Sequence, residues 1–222
     1  MPNTRRYVPA EIWGDMLHSE RLERHRTRED FLPASNPDCG LCPNCGFHTA
    51  LPDGIVIAVD GACRDNGHSG SRAAYGIYFN LESKFNSAGI LDEQSITNQR
   101  AELTAAIEAC KLCYQILKDP SVDQEIRQIV VKSDSAYLVS SMVDWVEKWR
   151  DNGYKTYRRT PVVNRDLLCR LDEWVTWLER VEGIDVRFWH VLRMQNKQAD
   201  KLANAALDGV DHKQFSGFDL FD

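Results

Sequence analysis

Four carboxylates that lie far apart along the chain constrain its fold more than any other feature: Asp60, Glu102, Asp134 and Asp200. Each stands beside small or apolar residues, a setting that is uncommon for acids on solvated faces. A buried carboxylate without a partner costs several kcal/mol, so a group of them indicates bound cations. Because hard cations such as Mg²⁺ take oxygen ligands, the pattern predicts a metal site gathered from distant segments.

Regular secondary structure is predicted from residue 55 onwards. Apolar runs and alternation predict five strands, at 55–59, 74–80, 84–88, 128–131 and 185–191. Apolar residues at helical spacing predict four helices, at 98–117, 135–149, 164–180 and 196–207. Asp60 and Gly61 are expected to end the first strand or to interrupt its pattern. The order β-β-β-α-β-α-α-β-α is typical of a mixed α/β layer fold.

The predicted elements place the four acids where they can meet. Asp60 lies on the first strand and Glu102 in the first turn of the first helix. Asp134 lies at a strand-to-helix junction, and Asp200 in the first two turns of the last helix. All four converge at one surface of the sheet if the first and fourth strands are neighbours.

Charge and length narrow the functional classes. A net charge of −6 argues mildly against nonspecific nucleic-acid binding. Residues 148–170 run against that trend, because they contain seven basic and two acidic side chains. No apolar run reaches the roughly 18 residues that a membrane span needs, so no membrane association is expected. The N-terminus leads into no apolar segment, which predicts an intracellular protein, nuclear or cytoplasmic.

Five ordered motifs resemble those of type 1 ribonuclease H; they lie at 60–62, 97–103, 133–135, 163–167 and 199–203. The resemblance covers 55–207 and implies a ribonuclease H-like catalytic domain. Its five-stranded mixed sheet would have three antiparallel strands and two more added through helical crossovers, with helices flanking the sheet. Residues 1–54 would then be an N-terminal extension and 208–222 a C-terminal tail, and a monomer is favoured.

The resemblance implies hydrolysis of the RNA strand of RNA–DNA hybrids with two Mg²⁺ ions, with Mn²⁺ as a substitute. Asp60 would bridge both metals, Glu102 and Asp134 would complete one, and Asp200 the other. Two such ions can activate a water and stabilise the leaving oxygen. Two alternatives remain open: another nuclease of the same superfamily that acts on DNA or duplex RNA, and a hybrid-binding module without catalysis.

One loop departs from the pattern of many relatives, which carry a glycine-flanked His before the last helix. Residues 189–200 lack those glycines. His190 is interpreted as the end of the fifth strand. Arg193 resembles the Arg of a branch of the family without that His, and it would stabilise the cleaved phosphate, because a guanidinium is always charged and matches phosphate geometry.

Further side chains resemble the hybrid-binding set of the family: Asn66, Thr97, Asn98, Gln99, Trp149, Tyr154, Lys155 and Asn164. Residues 145–156, termed the basic handle below, resemble the segment that grips the DNA strand by charge and aromatic packing. Trp145 is expected in the core, whereas Trp149 is left open between core and DNA contact.

The cysteines divide into two groups. Cys63, Cys110, Cys113 and Cys169 fall in regular elements and are interpreted as reduced thiols. Cys39, Cys42, Cys45 and His48 have the chemistry of a structural Zn²⁺ site, which needs four tetrahedral nitrogen or sulfur ligands. The alternative for this second group is a loop of reduced thiols. Three interpretations of the tail stay open: a partner peptide, a segment that folds back on the domain, and a disordered segment.

Overall fold

The computed structural model describes residues 5–7, 32–35, 50–68, 70–80, 83–93, 96–122 and 125–210. The strands are β1 (Leu32–Ser35), β2 (Ala50–Arg64), β3 (Arg72–Tyr78), β4 (Ser87–Ile90), β5 (Gln128–Ser133) and β6 (Asp185–His190). The helices are α1 (Asn98–Lys118), α2 (Ala136–Ser140), α3 (Val146–Asn152), α4 (Arg165–Arg180) and α5 (Lys197–Leu207). A π-helical turn (Ser141–Trp145) joins α2 to α3, and a 3₁₀ turn (Arg193–Gln195) precedes α5.

The predicted five-stranded mixed sheet is confirmed, in the order β4-β3-β2-β5-β6. Strands β2, β3 and β4 pair antiparallel, whereas β5 and β6 are added in parallel. The first and fourth predicted strands are therefore neighbours, as the convergence of the acids requires. A sixth strand, β1, pairs antiparallel with the first half of β2, and its short LPAS sequence carries no pattern that predicts a strand.

Strand β2 is longer than predicted, because Asp60 and Gly61 neither end nor interrupt it. Residues 58–64 pair one by one with β3, and Asp60 lies opposite Gly76. The apolar run stops at Val59, but backbone pairing continues for five more residues. The strand thus carries a buried carboxylate within its paired length instead of at its end.

Helices cover both faces of the sheet. An added Cβ at Gly61 would meet the backbone of α1, whereas one at Gly76 would meet the backbone of α5. Because successive residues of a strand face opposite ways and Gly76 pairs with Asp60, these two helices lie on opposite faces. The main core fills the α1 side, where α4 packs beside α1 over the sheet.

The predicted helix 135–149 is broken by the π-helical turn, and this corrects the expectation for Trp145. A π turn adds one residue to the helical repeat and rotates the following side chains. Trp145 is 40% exposed, so its predicted core position is wrong. Trp149 instead packs against the main core, and the two indole rings contact each other with centroids 5.5 Å apart.

Two predictions about chemical environment can also be checked. Within the described residues, none of the helices has the length and apolar character to cross a membrane. Cys63, Cys110, Cys113 and Cys169 are free thiols, as predicted. The proposed zinc ligands, Cys39 to His48, and residues 211–222 of the tail lie outside the described part of the chain.

Candidate metal centre and nucleic-acid interface

All four predicted carboxylates line one polar pocket of about 430 Å³, together with Asn98 and Arg193. Asp60 and Asp134 reach it from adjacent parallel strands. Ala58 and Lys132 are paired across these two strands, and each acid follows its member of that pair by two residues. Glu102 and Asp200 reach the pocket from helices on opposite faces of the sheet. The sequence prediction that these acids meet is therefore matched by their placement.

Local hydrogen bonds fix the helix that carries Glu102. Thr97 caps α1 by accepting a hydrogen bond at Oγ1 from the Arg100 amide (3.3 Å), which satisfies one free donor of the first turn. Asn98 Nδ2 donates to Glu102 Oε1 at 3.4 Å. Gly61, across from this turn, allows the backbone of β2 to approach α1 closely. Glu102 is thereby held against Asp60.

Burial and mutual repulsion change the acidity of two of these groups. Burial, followed by the charges of Asp134 and Asp200, raises the pKa of Asp60 from 3.8 to about 8. Burial, followed by the charges of Asp60 and Asp134, raises the pKa of Glu102 well above its usual range. With no cation bound, the pocket therefore retains a proton near neutral pH.

The donor set fits hard divalent cations. Glu102 Oε2 is buried and has no hydrogen-bond partner, so one carboxylate oxygen is held ready for a ligand. Among the described residues, no three His, Cys, Asp or Glu side chains already surround a single ion position. The carboxylate oxygens of the pocket are nevertheless the ligand type that Mg²⁺ takes.

Asp60→Asn is expected to stabilise the protein in a chelating buffer at pH 8. Since the folded-state pKa of Asp60 lies above its usual value, the folded state binds the extra proton, and stability falls as pH rises from about 4 to about 8. The neutral amide avoids this loss, and we expect a gain on the order of 1–3 kcal/mol, because one pKa unit corresponds to about 1.4 kcal/mol and neighbouring acids share the proton.

Urea denaturation of both proteins at pH 5 and pH 8 measures the effect. The gain should be larger at pH 8 than at pH 5. The exposed Asp92, changed to Asn, is a suitable control and should shift neither curve. An Asp60→Asn variant that is less stable than the wild type at pH 8 would show that the carboxylate is not strained in the folded state.

Arg193 and His190, the two candidates in the loop before α5, have different positions relative to the pocket. Arg193 lines the pocket, and its Nη2 donates to Asp200 Oδ1 at 3.1 Å while 82% of the side chain stays exposed. His190 ends β6, is exposed, and does not line the pocket. Arg193 can thus reach a phosphate that enters the pocket from solvent.

Sequence reasoning missed Asn196, which lies directly before α5 and is 1% exposed. Its Nδ2 donates to the Val59 carbonyl at 3.0 Å and to Asp134 Oδ1 at 2.8 Å. One amide therefore ties α5, β2 and the end of β5 together beside the metal pocket. An Asn at this position is usually interpreted as a helix cap, so its sequence context does not indicate this contact.

Four polar side chains form a strip beside the pocket, termed the amide strip: Asn66, Asn98, Gln99 and Asn164. Asn66 Oδ1 accepts from the Asn98 amide at 3.1 Å. Asn164 Nδ2 lies 3.5 Å from Gln99 Oε1 and 3.4 Å from the Tyr137 hydroxyl. The structure thus brings the predicted substrate-binding residues at the starts of α1 and α4 together beside the pocket.

The basic handle is placed differently from its sequence interpretation. Lys155 is exposed, but Tyr154 is 8% exposed and donates its hydroxyl to Asp172 at 2.7 Å. Tyr154 therefore supports the handle from inside, and the prediction that it contacts the substrate directly does not fit this position. Trp145 takes the exposed aromatic position instead. The register change of the π turn, invisible in the sequence, accounts for the exposure of Trp145.

Comparisons with known proteins agree with the fold and the motifs. The RNase H family profile matches residues 52–208. Ribonuclease H1 of Rattus norvegicus is 30% identical over 199 residues, which cover 88% of this chain and 62% of that protein. Ribonuclease H of Clostridium botulinum is 35% identical over 158 residues, which cover 69% of this chain and 95% of that protein.

A solved foamy viral protease-reverse transcriptase in complex with dsDNA has the same fold, with a TM-score of 0.53. It is 21% identical, and the match covers 70% of this chain and 94% of that one. The chain spans about three fifths of the length of the rodent and human relatives that it matches. Since the family profile covers more than half of the chain and the bacterial relative aligns over nearly its whole length, the chain belongs to the ribonuclease H family.

Proposed function

We propose that this chain hydrolyses the RNA strand of RNA–DNA hybrids with the help of divalent cations, most simply two Mg²⁺ ions. The observation that carries the proposal is the convergence of four carboxylates in one pocket, including a buried Glu102 oxygen without a partner. The catalytic unit would be residues 55–207, and membership of the ribonuclease H family supports the same activity.

Asp60, which lines the pocket with the other three acids, would be shared between two cations, with Glu102 and Asp134 completing one site and Asp200 the other. Cations held by these residues would supply an activated water and would stabilise the leaving oxygen of the displacement at phosphorus. Asn196 holds one oxygen of Asp134 and thereby keeps its other oxygen directed into the pocket. Burial of Asp60 and Glu102 excludes water from the side of the pocket that faces the core.

The amide strip and the basic handle would bind the two strands of the substrate. Amide and backbone donors at the start of α1 can meet 2′-hydroxyls and bases in a shallow minor groove. Lys155 and its basic neighbours can neutralise phosphates of the DNA strand. Because such contacts depend on shape and 2′-hydroxyl groups, we expect little sequence preference.

A panel of labelled substrates tests this proposal against its alternatives. Hybrid, duplex DNA and duplex RNA of one sequence are incubated with the protein and Mg²⁺, with each strand labelled in turn. The proposal requires cleavage of the RNA strand of the hybrid alone. Cleavage of either homoduplex at a comparable rate would indicate another nuclease of the superfamily, and tight hybrid binding without cleavage would indicate a binding module.

Arg193→Ala is expected to lower the cleavage rate of the hybrid by roughly tenfold to a hundredfold, as removal of a single donor to a developing charge commonly does. Arg193→Lys should recover part of the rate, because it keeps the charge but not the forked donors. His190→Ala should stay within about twofold of the wild type, since His190 lies off the pocket. Steady-state cleavage assays measure these rates. Loss of activity in the His190 variant, together with an unaffected Arg193 variant, would show that His190 and not Arg193 acts on the phosphate.

A further inference from the structure

Residues 5–7, near the start of the N-terminal extension, are bound to the edge of the sheet. Arg6 forms a parallel bridge with Phe188 of β6, the last strand in the sheet order. The Tyr7 amide donates to the Phe188 carbonyl at 2.8 Å, and the Phe188 amide donates to the Arg5 carbonyl at 2.6 Å. Tyr7 is buried against Trp189. This segment lies outside residues 52–208, so the family match does not explain it.

The side chain of Arg5 continues from this edge into α4. It is 9% exposed. Its Nε and Nη2 donate to the two carboxylate oxygens of Glu179 at 2.9 and 2.6 Å, and its Nη1 donates to Asp172 Oδ1 at 3.3 Å. A guanidinium that binds a carboxylate by two parallel bonds is held in one orientation.

Asp172 is also the anchor of the basic handle. Arg150, in the last turn of α3, donates from Nε to Asp172 Oδ2 at 2.6 Å. Tyr154 donates its hydroxyl to the same oxygen at 2.7 Å. Gly153, between them, has a left-handed backbone with φ of 70°, which turns the chain so that both side chains reach Asp172. The shape of the handle therefore depends on a single buried carboxylate.

Arg5 contributes one of the two positive charges of this group in the described part of the chain. Among the described residues of this group, two arginines, Arg5 and Arg150, face two acids, Asp172 and Glu179. Without Arg5, both acids would compete for the one guanidinium left in the group, and Asp172 would stay buried with less compensation. Arg150 would then move towards a position between the two acids, and its hydrogen bonds with Asp172 would weaken.

We infer that Arg5 is a positioning residue for nucleic-acid binding, acting through Asp172 to hold Arg150 and Tyr154 and thereby the exposed face of the handle. The inference rests on the proposed function for the identity of the ligand, the DNA strand of a hybrid. It gives the N-terminal extension a role in affinity and not in chemistry. None of these four side chains lines the metal pocket, so the cleavage step itself should be unaffected.

The test compares Arg5→Gln with Arg6→Gln in the full chain. Arg6 is a matched control, because it is the adjacent arginine and its ion pair with Asp144 lies on the exposed surface. For Arg5→Gln we expect the Kd for hybrid in a chelating buffer, and the KM in Mg²⁺, to rise about threefold to thirtyfold, the range typical of coupling through packed networks. The kcat should stay within about twofold, and Arg6→Gln should change neither constant.

Two further readouts separate positioning from general destabilisation. The dependence of Kd on salt should become shallower in Arg5→Gln, because fewer phosphates are neutralised when the handle is misplaced. The amides of Tyr154, Thr156 and Val162 donate backbone hydrogen bonds in and beside the handle, so their hydrogen exchange should accelerate by roughly tenfold. Arg5→Lys, which keeps the charge, should fall between the wild type and Arg5→Gln.

Each outcome decides the inference. An unchanged Kd and unchanged handle exchange in folded Arg5→Gln would overturn it, as would a fall in kcat with an unchanged KM. If Arg5→Gln does not fold, Glu179→Gln weakens the same anchor at a half-buried position and should raise Kd in the same direction. If the wild type neither binds nor cleaves hybrid, the proposed function fails. The hydrogen exchange of the handle amides still shows in that case whether Arg5 positions the basic handle.

Discussion

Replacement of Asp60 by Asn is expected to lower the rate of hybrid cleavage by roughly a thousandfold or more, because the groups of a catalytic metal centre act as a unit. The substitution preserves the size of the side chain but removes the charge that two cations would share. Binding of the hybrid should persist, since Asp60 is buried at the base of the pocket and the amide strip and basic handle are untouched. Single-turnover cleavage and binding in a chelating buffer measure the two quantities.

The exposed Asp92, changed to Asn, removes an equal charge away from the pocket and should leave cleavage unchanged. Retention of more than a tenth of the wild-type rate by the Asp60 variant would mean that this carboxylate is not central to the reaction. A parallel loss of hybrid binding would instead place Asp60 in substrate recognition.

Gly61→Ala is expected to destabilise the protein by roughly 2–4 kcal/mol, at or above the upper end of the usual cost of overpacking. A Cβ at Gly61 would lie 2.3 Å from the Glu102 amide nitrogen and 2.4 Å from the Ala101 carbonyl carbon. Both atoms are backbone, so relief requires that α1 moves away from β2. Glu102 would move with it, and cleavage should fall even where the variant is fully folded.

Urea denaturation and cleavage assays on Gly61→Ala should be paired with those on Gly89→Ala. The nearest atoms to an added Cβ at Gly89 belong to the side chain of Tyr75, at 2.8 Å. An aromatic side chain can turn away at little cost, so this control should lose much less stability. Equal losses in the two variants would contradict the view that close contact between β2 and α1 sets the position of Glu102.

The meeting of the four acids was predictable because each belongs to a motif whose element type and order the sequence reveals. Once Asp60 is assigned to the first strand and Asp134 to the end of the fourth, parallel pairing of those strands brings them to one level. The full length of β2 was not predictable from its apolar run. Its second half is held by pairing with β3, which the apolar run at 55–59 does not indicate.

Other features depend on tertiary contacts that local patterns do not encode. The π-helical turn moves Trp145 to the surface and Trp149 to the core, although their spacing of four residues fits one helical face. Asn196 resembles an ordinary helix cap until its contact with Asp134 is visible. Arg5 lies in a segment with weak periodicity, and its partners on α4 are more than 160 residues away in sequence, as the separation of 167 residues from Asp172 shows.

The most direct test of the metal-dependent account is a Mg²⁺ titration of hybrid cleavage by the wild type, with the RNA strand labelled. The account predicts no cleavage in a chelating buffer and a rate that rises with Mg²⁺ until the pocket is saturated. Cleavage that continues unchanged in the chelator would contradict it, because the four carboxylates would then have no cation to hold during the reaction.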